Sequence, residues 1–316
     1  MSCAPSGSTA RRVVPVRHYG QWFGVAVLAL LGCAVVWQIA ENSVIRWELV
    51  FSRVGAAAIL EGAYVTLLLT VASMALGVAL GMVIAVMRVS SNPVLVTVAW
   101  LFVWVFRGTP LLVQILVWFN LALFIPSVGV GDFVFELNTI SPFTAALIAL
   151  TLNEAAYMSE IVRGGLISVD RGQHEAAGAL GMTTGLTLRR IILPQAMRSI
   201  LPPTGNELVT LLKETSLVSV IGAGDLLYRA RQIGAADFSL MEMLLVASVW
   251  YLALTTVASV LQAWLERRFD KDAPDREGWM SRMLAFRRTP RNEPPLVTGV
   301  IEMQGTGAAA QKGEDS

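Results

Sequence analysis

Lysine is nearly missing from this 316-residue chain: Lys213, Lys271 and Lys312 are the only ones. None follows the glycines that a G-x-x-x-x-G-K-[ST] phosphate loop requires, so the chain has no ATP cradle of its own. Cysteine is as scarce. Cys3 stands in a polar segment and Cys33 in an apolar run, which argues against a disulfide framework or a paired-cysteine zinc site. His18 and His174 stand alone and read as ordinary polar residues. No HExxH is present and no catalytic constellation can be assembled, so no catalytic residue, metal or cofactor is expected. Charged residues make up 15% of the chain, against about a quarter in a soluble domain. A net charge of +1 gives no reason to expect a nucleic-acid partner.

What the chain has instead is apolar length. Hydrophobic residues form 55% of it, and several runs exceed the roughly 18 residues that mark a membrane-spanning helix. Residues 1–20 are polar and basic, with Arg11, Arg12 and Arg17. The run Trp22–Ala40 is long for a signal-peptide core, and Gln38-Ile39-Ala40 lacks the small residue expected three places before a cleavage point. It reads as an uncleaved first span, covering 21–41. Further runs are Gly62–Met87, Phe143–Ile167, Ser199–Ile221 and Met241–Trp264.

Between Val94 and Ile125 lie two shorter apolar pieces, parted by Arg107-Gly108-Thr109-Pro110. One straight helix there would be about 48 Å long, too long for a hydrocarbon core of about 30 Å. Pro110 lacks an N–H and Gly108 is permissive, so the stretch reads as one bent span preceded by an interfacial elbow. The expectation is an all-α polytopic membrane protein of about six spans.

Charge fixes the expected orientation. With Arg11, Arg12 and Arg17 inside, six crossings bring Arg88, the Arg171–Arg198 loop and Arg267-Arg268 to the cytoplasmic side. Both termini are then cytoplasmic, and Glu41–Leu60 and Pro126–Pro142 lie outside. The tail 269–316, with Pro274, Pro290, Pro294 and Pro295, is expected to be polar and largely disordered.

The cytoplasmic loop 168–198 has local grammar of its own. Asp170 can cap a short helix, with Gln173 completing a capping-box pattern. Glu175 suits the positive end of that helix, Ala176, Ala177 and Leu180 share a face, and Gly181 is a natural stop. Thr183 or Thr184 can cap the next helix. A short helix with a small-residue face suits a groove in another protein, or a tight turn against its own spans. Physics leaves both readings open.

Glu175-Ala176-Ala177, then Gly181, Ile191, Leu193 and Pro194, match the EAA motif of ABC-importer permeases. The flanks resemble its polar amino-acid branch, of the histidine and glutamine type: Phe106–Gln114, Glu160–Gly165, Gly205–Leu208 and Lys213–Gly222. The resemblance covers roughly 60–268, a five-span type I importer core to which the first span is an addition. It implies that Glu175, Ala176, Ala177 and Gly181 dock into a separate nucleotide-binding ATPase subunit. It also implies an extracytoplasmic solute-binding protein, pairing with itself or a second permease, and an inner-membrane location. The chain would then be a transport subunit moving a polar amino acid or a derivative.

Polar residues inside spans are candidates for the substrate pathway. Asn153 and Tyr157 share a stripe with Glu160, and Glu154 adjoins it. On the fifth span Glu207, Lys213, Glu214 and the Thr215–Ser216 pair are the counterparts. Glu154 and Glu207 could take the ammonium of an amino acid, and Lys213 or Thr215–Ser216 its carboxylate. Glu160 and Arg163 read as a structural ion pair. A permease for another small solute should differ in the Arg107–Gln114 and Lys213–Gly222 segments. An ion-coupled secondary transporter should show internal repeats, and none is convincing here.

Overall fold

The computed structural model describes residues 19–41, 45–125, 127–130, 133–136 and 140–269. The basic N-terminal segment and the tail beyond Phe269 lie outside the described residues. Within them the chain is helical apart from one hairpin. In order come α1 (Tyr19–Ala40), α2 (Trp47–Arg53), α3 (Ala57–Arg88), α4 (Pro93–Gly108), α5 (Leu111–Phe119) and α6 (Leu121–Phe124). The antiparallel strands β1 (Ser127–Val130) and β2 (Phe133–Glu136) follow. Then come α7 (Pro142–Ile167), α8 (Arg171–Ala179), α9 (Thr184–Thr187), α10 (Leu193–Glu214), α11 (Leu226–Ala236) and α12 (Leu240–Phe269).

Helices α1, α3, α7 and α12 are long and apolar enough to cross a membrane, and the bent pair α4–α5 makes a fifth unit. The expected run Ser199–Ile221 is not a continuous apolar helix. Its α-helix ends at Glu214, and Thr215–Ile221 continues as a 3₁₀ segment that Gly222 closes at φ 75°. The reason is compositional: α10 carries Pro202 and Pro203 inside it, with Asn206, Glu207, Lys213 and Glu214 beyond. It has the length of a span, about 33 Å, with one polar face. The segments expected as plain outer connections also hold structure, α2 in the first and the β hairpin in the second.

Packing centres on α3 and α7. Ser73, Gly77, Gly81 and Ala85 repeat at four-residue spacing, which places small residues in one stripe of α3. A Cβ on Gly81 would lie 2.7 Å from the Met158 Cβ and 2.9 Å from the Ala155 carbonyl oxygen. One on Gly77 would lie 2.6 Å from the Glu154 Cγ. The two backbones therefore approach as closely as glycine allows.

Four apolar clusters touch α3, one of them joining Ile84 to Ala99 and Val103 of α4 and Ala155 of α7. Ile59 and Ala63 pack with Val50, Leu226 and Met243, linking α2, α11 and α12. Leu69 packs with Ile115, Leu150, Leu211 and Val218. Ala85 packs with Met158, Val169, Ile192 and Ala196, next to the 168–198 loop. Ile59 and Ala85 are 26 residues apart on one helix, or about 39 Å. The clusters of Ile59 and Ala85 thus mark opposite ends of the bundle, one bilayer apart.

Candidate coupling helix and translocation site

Helix α8 is built as its sequence suggests. Asp170 caps it, its carboxylate accepting from the Gly172 N–H at 2.6 Å. At the other end Gly181 N–H donates to the Gly178 carbonyl at 3.0 Å and Met182 N–H to the Ala177 carbonyl at 3.1 Å. These are the paired bonds of a Schellman motif, and Gly181 holds the left-handed position they need, at φ 72°. The Gln173 side chain does not complete a capping box, because its oxygen accepts from Gln195 Nε2 at 3.3 Å. Thr183 stands at the N-cap of α9 without a side-chain cap bond.

Of the α8 residues only Ala177 is buried; Glu175, Ala176 and Gly181 are exposed, and Leu180 is 80% exposed. Nothing lies within 4 Å of the Cβ position at Gly181. The helix therefore presents a small, open face while resting on α9 and the turn after it. That turn, Leu188–Ile192, is a single π turn leading into α10. Pro194 cannot donate to the Arg190 carbonyl, and the wider turn lets the helix pass it without ending. From Thr184 to Glu214 the backbone stays helical, so a push on α8 has a stiff path into the bundle.

The bend between α4 and α5 measures 104°. Pro110 leaves the Phe106 carbonyl without its i+4 donor. Two side chains replace it: Gln114 Nε2 donates at 2.8 Å and Asn153 Nδ2 at 2.9 Å. Gln114 also donates to the Thr109 carbonyl at 3.1 Å, and Asn153 to Gln114 Oε1 at 3.3 Å. Asn153, a pathway candidate on sequence, is thus engaged in holding a broken helix at membrane depth, where a free carbonyl is costly.

Beside the bend, three arginines converge on Glu160. Arg88 pairs with Oε1, Arg163 with Oε2 at 2.8 Å, and Arg107 approaches Oε1 at 3.8 Å. The Arg107 guanidinium also lies over the Tyr157 ring, 5.0 Å from its centre. Arg107, Tyr157 and Glu160 line a recess of about 370 Å³ with Trp100 and Trp104. Glu160 and Arg163 form the ion pair expected from their spacing.

Three further acidic groups lie within electrostatic reach of one another. Glu207 and Glu214 of α10 lie close enough to Glu154 of α7 to act on it electrostatically, and Arg107 acts likewise on Glu207. Glu154 is buried beneath Gly77, and its Oε1 has no hydrogen-bond partner. Lys213 is exposed and acts on Glu214. Thr215 is fully buried and donates to the Leu212 carbonyl at 2.7 Å, while Ser216 is half-buried beside it. Glu154, Glu207 and Glu214 therefore form one electrostatic group, which meets Arg107 through Glu207, while Arg107 covers Tyr157 and Thr215 turns its hydroxyl into its own helix. Arg107 was not singled out from sequence, although Arg107-Gly108 directly before a proline break marks a cation at a helix end.

Residues 77–271 match the family model described as binding-protein-dependent transport system inner membrane component. The arginine transport system permease protein ArgU of Corynebacterium glutamicum is 44% identical over 274 residues, 84% of this chain and 87% of that protein. The arginine transport system permease protein ArtQ of Bacillus subtilis is 40% identical over 211 residues, 66% of this chain and 91% of its own length. A crystal structure of an amino acid ABC transporter with histidines aligns at a TM-score of 0.60 and 38% identity. It covers 67% of this chain and 94% of that one.

Proposed function

The chain belongs to the family of binding-protein-dependent transport system inner membrane components, and we propose that its cargo is a cationic amino acid. It is the permease subunit of an ATP-driven amino-acid importer, a multi-pass inner-membrane protein with no catalytic role. ATP hydrolysis belongs to a separate subunit, and a solute-binding protein supplies the cargo. In our reading the permease works as a dimer, with itself or a sister chain, around the α7–α10 path. Both termini and α8 face the cytoplasm. Glu175, Ala176, Ala177 and Gly181 seat α8 in the ATPase, and nucleotide-driven closure moves α10 through the π turn.

The observation that carries the cargo assignment is the gathering of Glu154, Glu207 and Glu214, one of them with an unpartnered buried oxygen. A zwitterion needs one anionic partner for its ammonium. A side-chain cation needs another, and this group supplies it. Arg107, over Tyr157 and within electrostatic reach of Glu207, is the partner for the cargo's carboxylate, in bidentate geometry that guanidinium favours. The arginine permeases among the relatives support the same cargo class. Competition decides it: excess unlabelled arginine or lysine is expected to suppress labelled arginine uptake by the reconstituted importer, and glutamine or glutamate to leave it. Equal suppression by glutamine would remove the assignment.

A further inference from the structure

At the end of the bundle opposite α8, the turn between α11 and α12 holds a phenylalanine where a glycine is usual. Ser239 N–H donates to the Gly234 carbonyl at 2.9 Å, the long bond of a Schellman motif. The left-handed position in that motif is filled by Phe238, at φ 51°, the only residue other than glycine with positive φ among the described residues. A bulky side chain in that conformation is strained. Its ring gains nothing from the fold in return, being 94% exposed. A strained, solvated aromatic points to an occupant outside the chain.

The surroundings are braced. Arg46 pairs with Glu242 at 2.9 Å and Arg53 with Asp237 at 3.0 Å, tying α2 to both flanks of the turn. Arg46 also reaches the Phe238 carbonyl at 3.5 Å. Met241 is 66% exposed beside it, and a recess of about 560 Å³ opens between Arg46, Gly234 and Met241. Two ion pairs flank the turn, a density of charge that hydrocarbon does not accommodate, which sets it at the water-facing edge. An exposed aromatic at the rim of a recess, flanked by paired charges, has the anatomy of a protein interface centre.

We infer that Phe238 and the recess beside it form a docking point for the solute-binding protein. The family depends on such a partner, and this face is the one α8 does not occupy. The inference rests on the importer reading and on α8 facing the ATPase.

Phe238→Gly gives a clean test, because glycine relaxes the backbone while deleting the ring. The complete transporter, with its ATPase, is reconstituted in nanodiscs and titrated with amino-acid-loaded binding protein. The concentration giving half-maximal stimulation of ATP hydrolysis is expected to rise about tenfold, the scale of a lost aromatic anchor. Stimulation at saturation should persist, and Phe238→Tyr should restore most of the affinity. An unshifted half-maximal concentration in Phe238→Gly overturns the inference, even if membrane insertion of the variant changes. Uptake by the unaltered transporter in the same lipids tests the underlying reading. No amino-acid uptake would defeat both, whereas uptake with an unshifted Phe238→Gly titration defeats this inference alone.

Discussion

Replacing Gly181 with arginine is expected to cut ATP-driven uptake by about 100-fold, the loss typical of an obstructed interface centre, while the permease still folds and inserts. Gly181 closes α8 in a left-handed conformation, so any ordinary L-residue there costs about 1–2 kcal/mol of backbone strain. That is a modest fraction of the stability of a helical bundle. The arginine side chain meets no obstacle within the chain, since the space around the Gly181 Cβ position is empty. On the proposed docking, what it would meet is the groove of the ATPase, which the exposed Glu175–Ala176 face is proposed to enter. Gly181→Asn separates the two effects. Asparagine tolerates the left-handed region and is small, so most uptake should remain. Detergent extraction and co-purification of the ATPase, followed by uptake assays, check the outcome. Full uptake by Gly181→Arg would remove α8 as the coupling element.

Glu207→Gln is expected to raise the arginine concentration for half-maximal transport through the permease by about 10- to 100-fold, the loss of one charge-assisted contact. The residue is half-buried on α10, lies within electrostatic reach of Arg107 and acts on Glu154. The amide keeps the shape, so the change falls on charge. Since the binding protein sets apparent affinity from outside, the measurement uses saturating binding protein and reads efflux or exchange from the permease side. Glu154→Gln should shift the same kinetics, because its Oε1 has no other partner. Unchanged kinetics in both variants would turn the acidic group into scaffolding.

Much of this architecture is legible in the sequence wherever a single residue's backbone chemistry decides the outcome. Pro110 removes a donor, and the helix breaks there; Asp170 and Gly181 bound α8 because one supplies an acceptor and the other a left-handed backbone. Apolar length locates α1, α3, α7 and α12 for the same local reason. The rest depends on contacts distant in sequence. Arg88 and Arg107 meet at Glu160 from 72 and 53 residues away, and no periodicity within one helix announces that. Asn153 shares a stripe with Tyr157, yet its amide is drawn to a carbonyl freed by a proline 43 residues earlier. Thr215 looked available to a ligand, but its hydroxyl bonds the preceding turn, a choice buried threonines commonly make. The run Ser199–Ile221 marks a helix of span length, but its average hides two prolines, a polar face and the 3₁₀ ending.

On the proposed function this chain is a passive path driven by a separate motor through α8. Labelled arginine uptake into proteoliposomes tests it most directly, with the permease and ATPase in the membrane, ATP enclosed, and the binding protein outside. Accumulation is expected only when ATP, ATPase and binding protein are all present, and omission of any one should abolish it. Arginine accumulation by the permease alone, driven by an imposed proton or sodium gradient, would make the chain a secondary transporter instead.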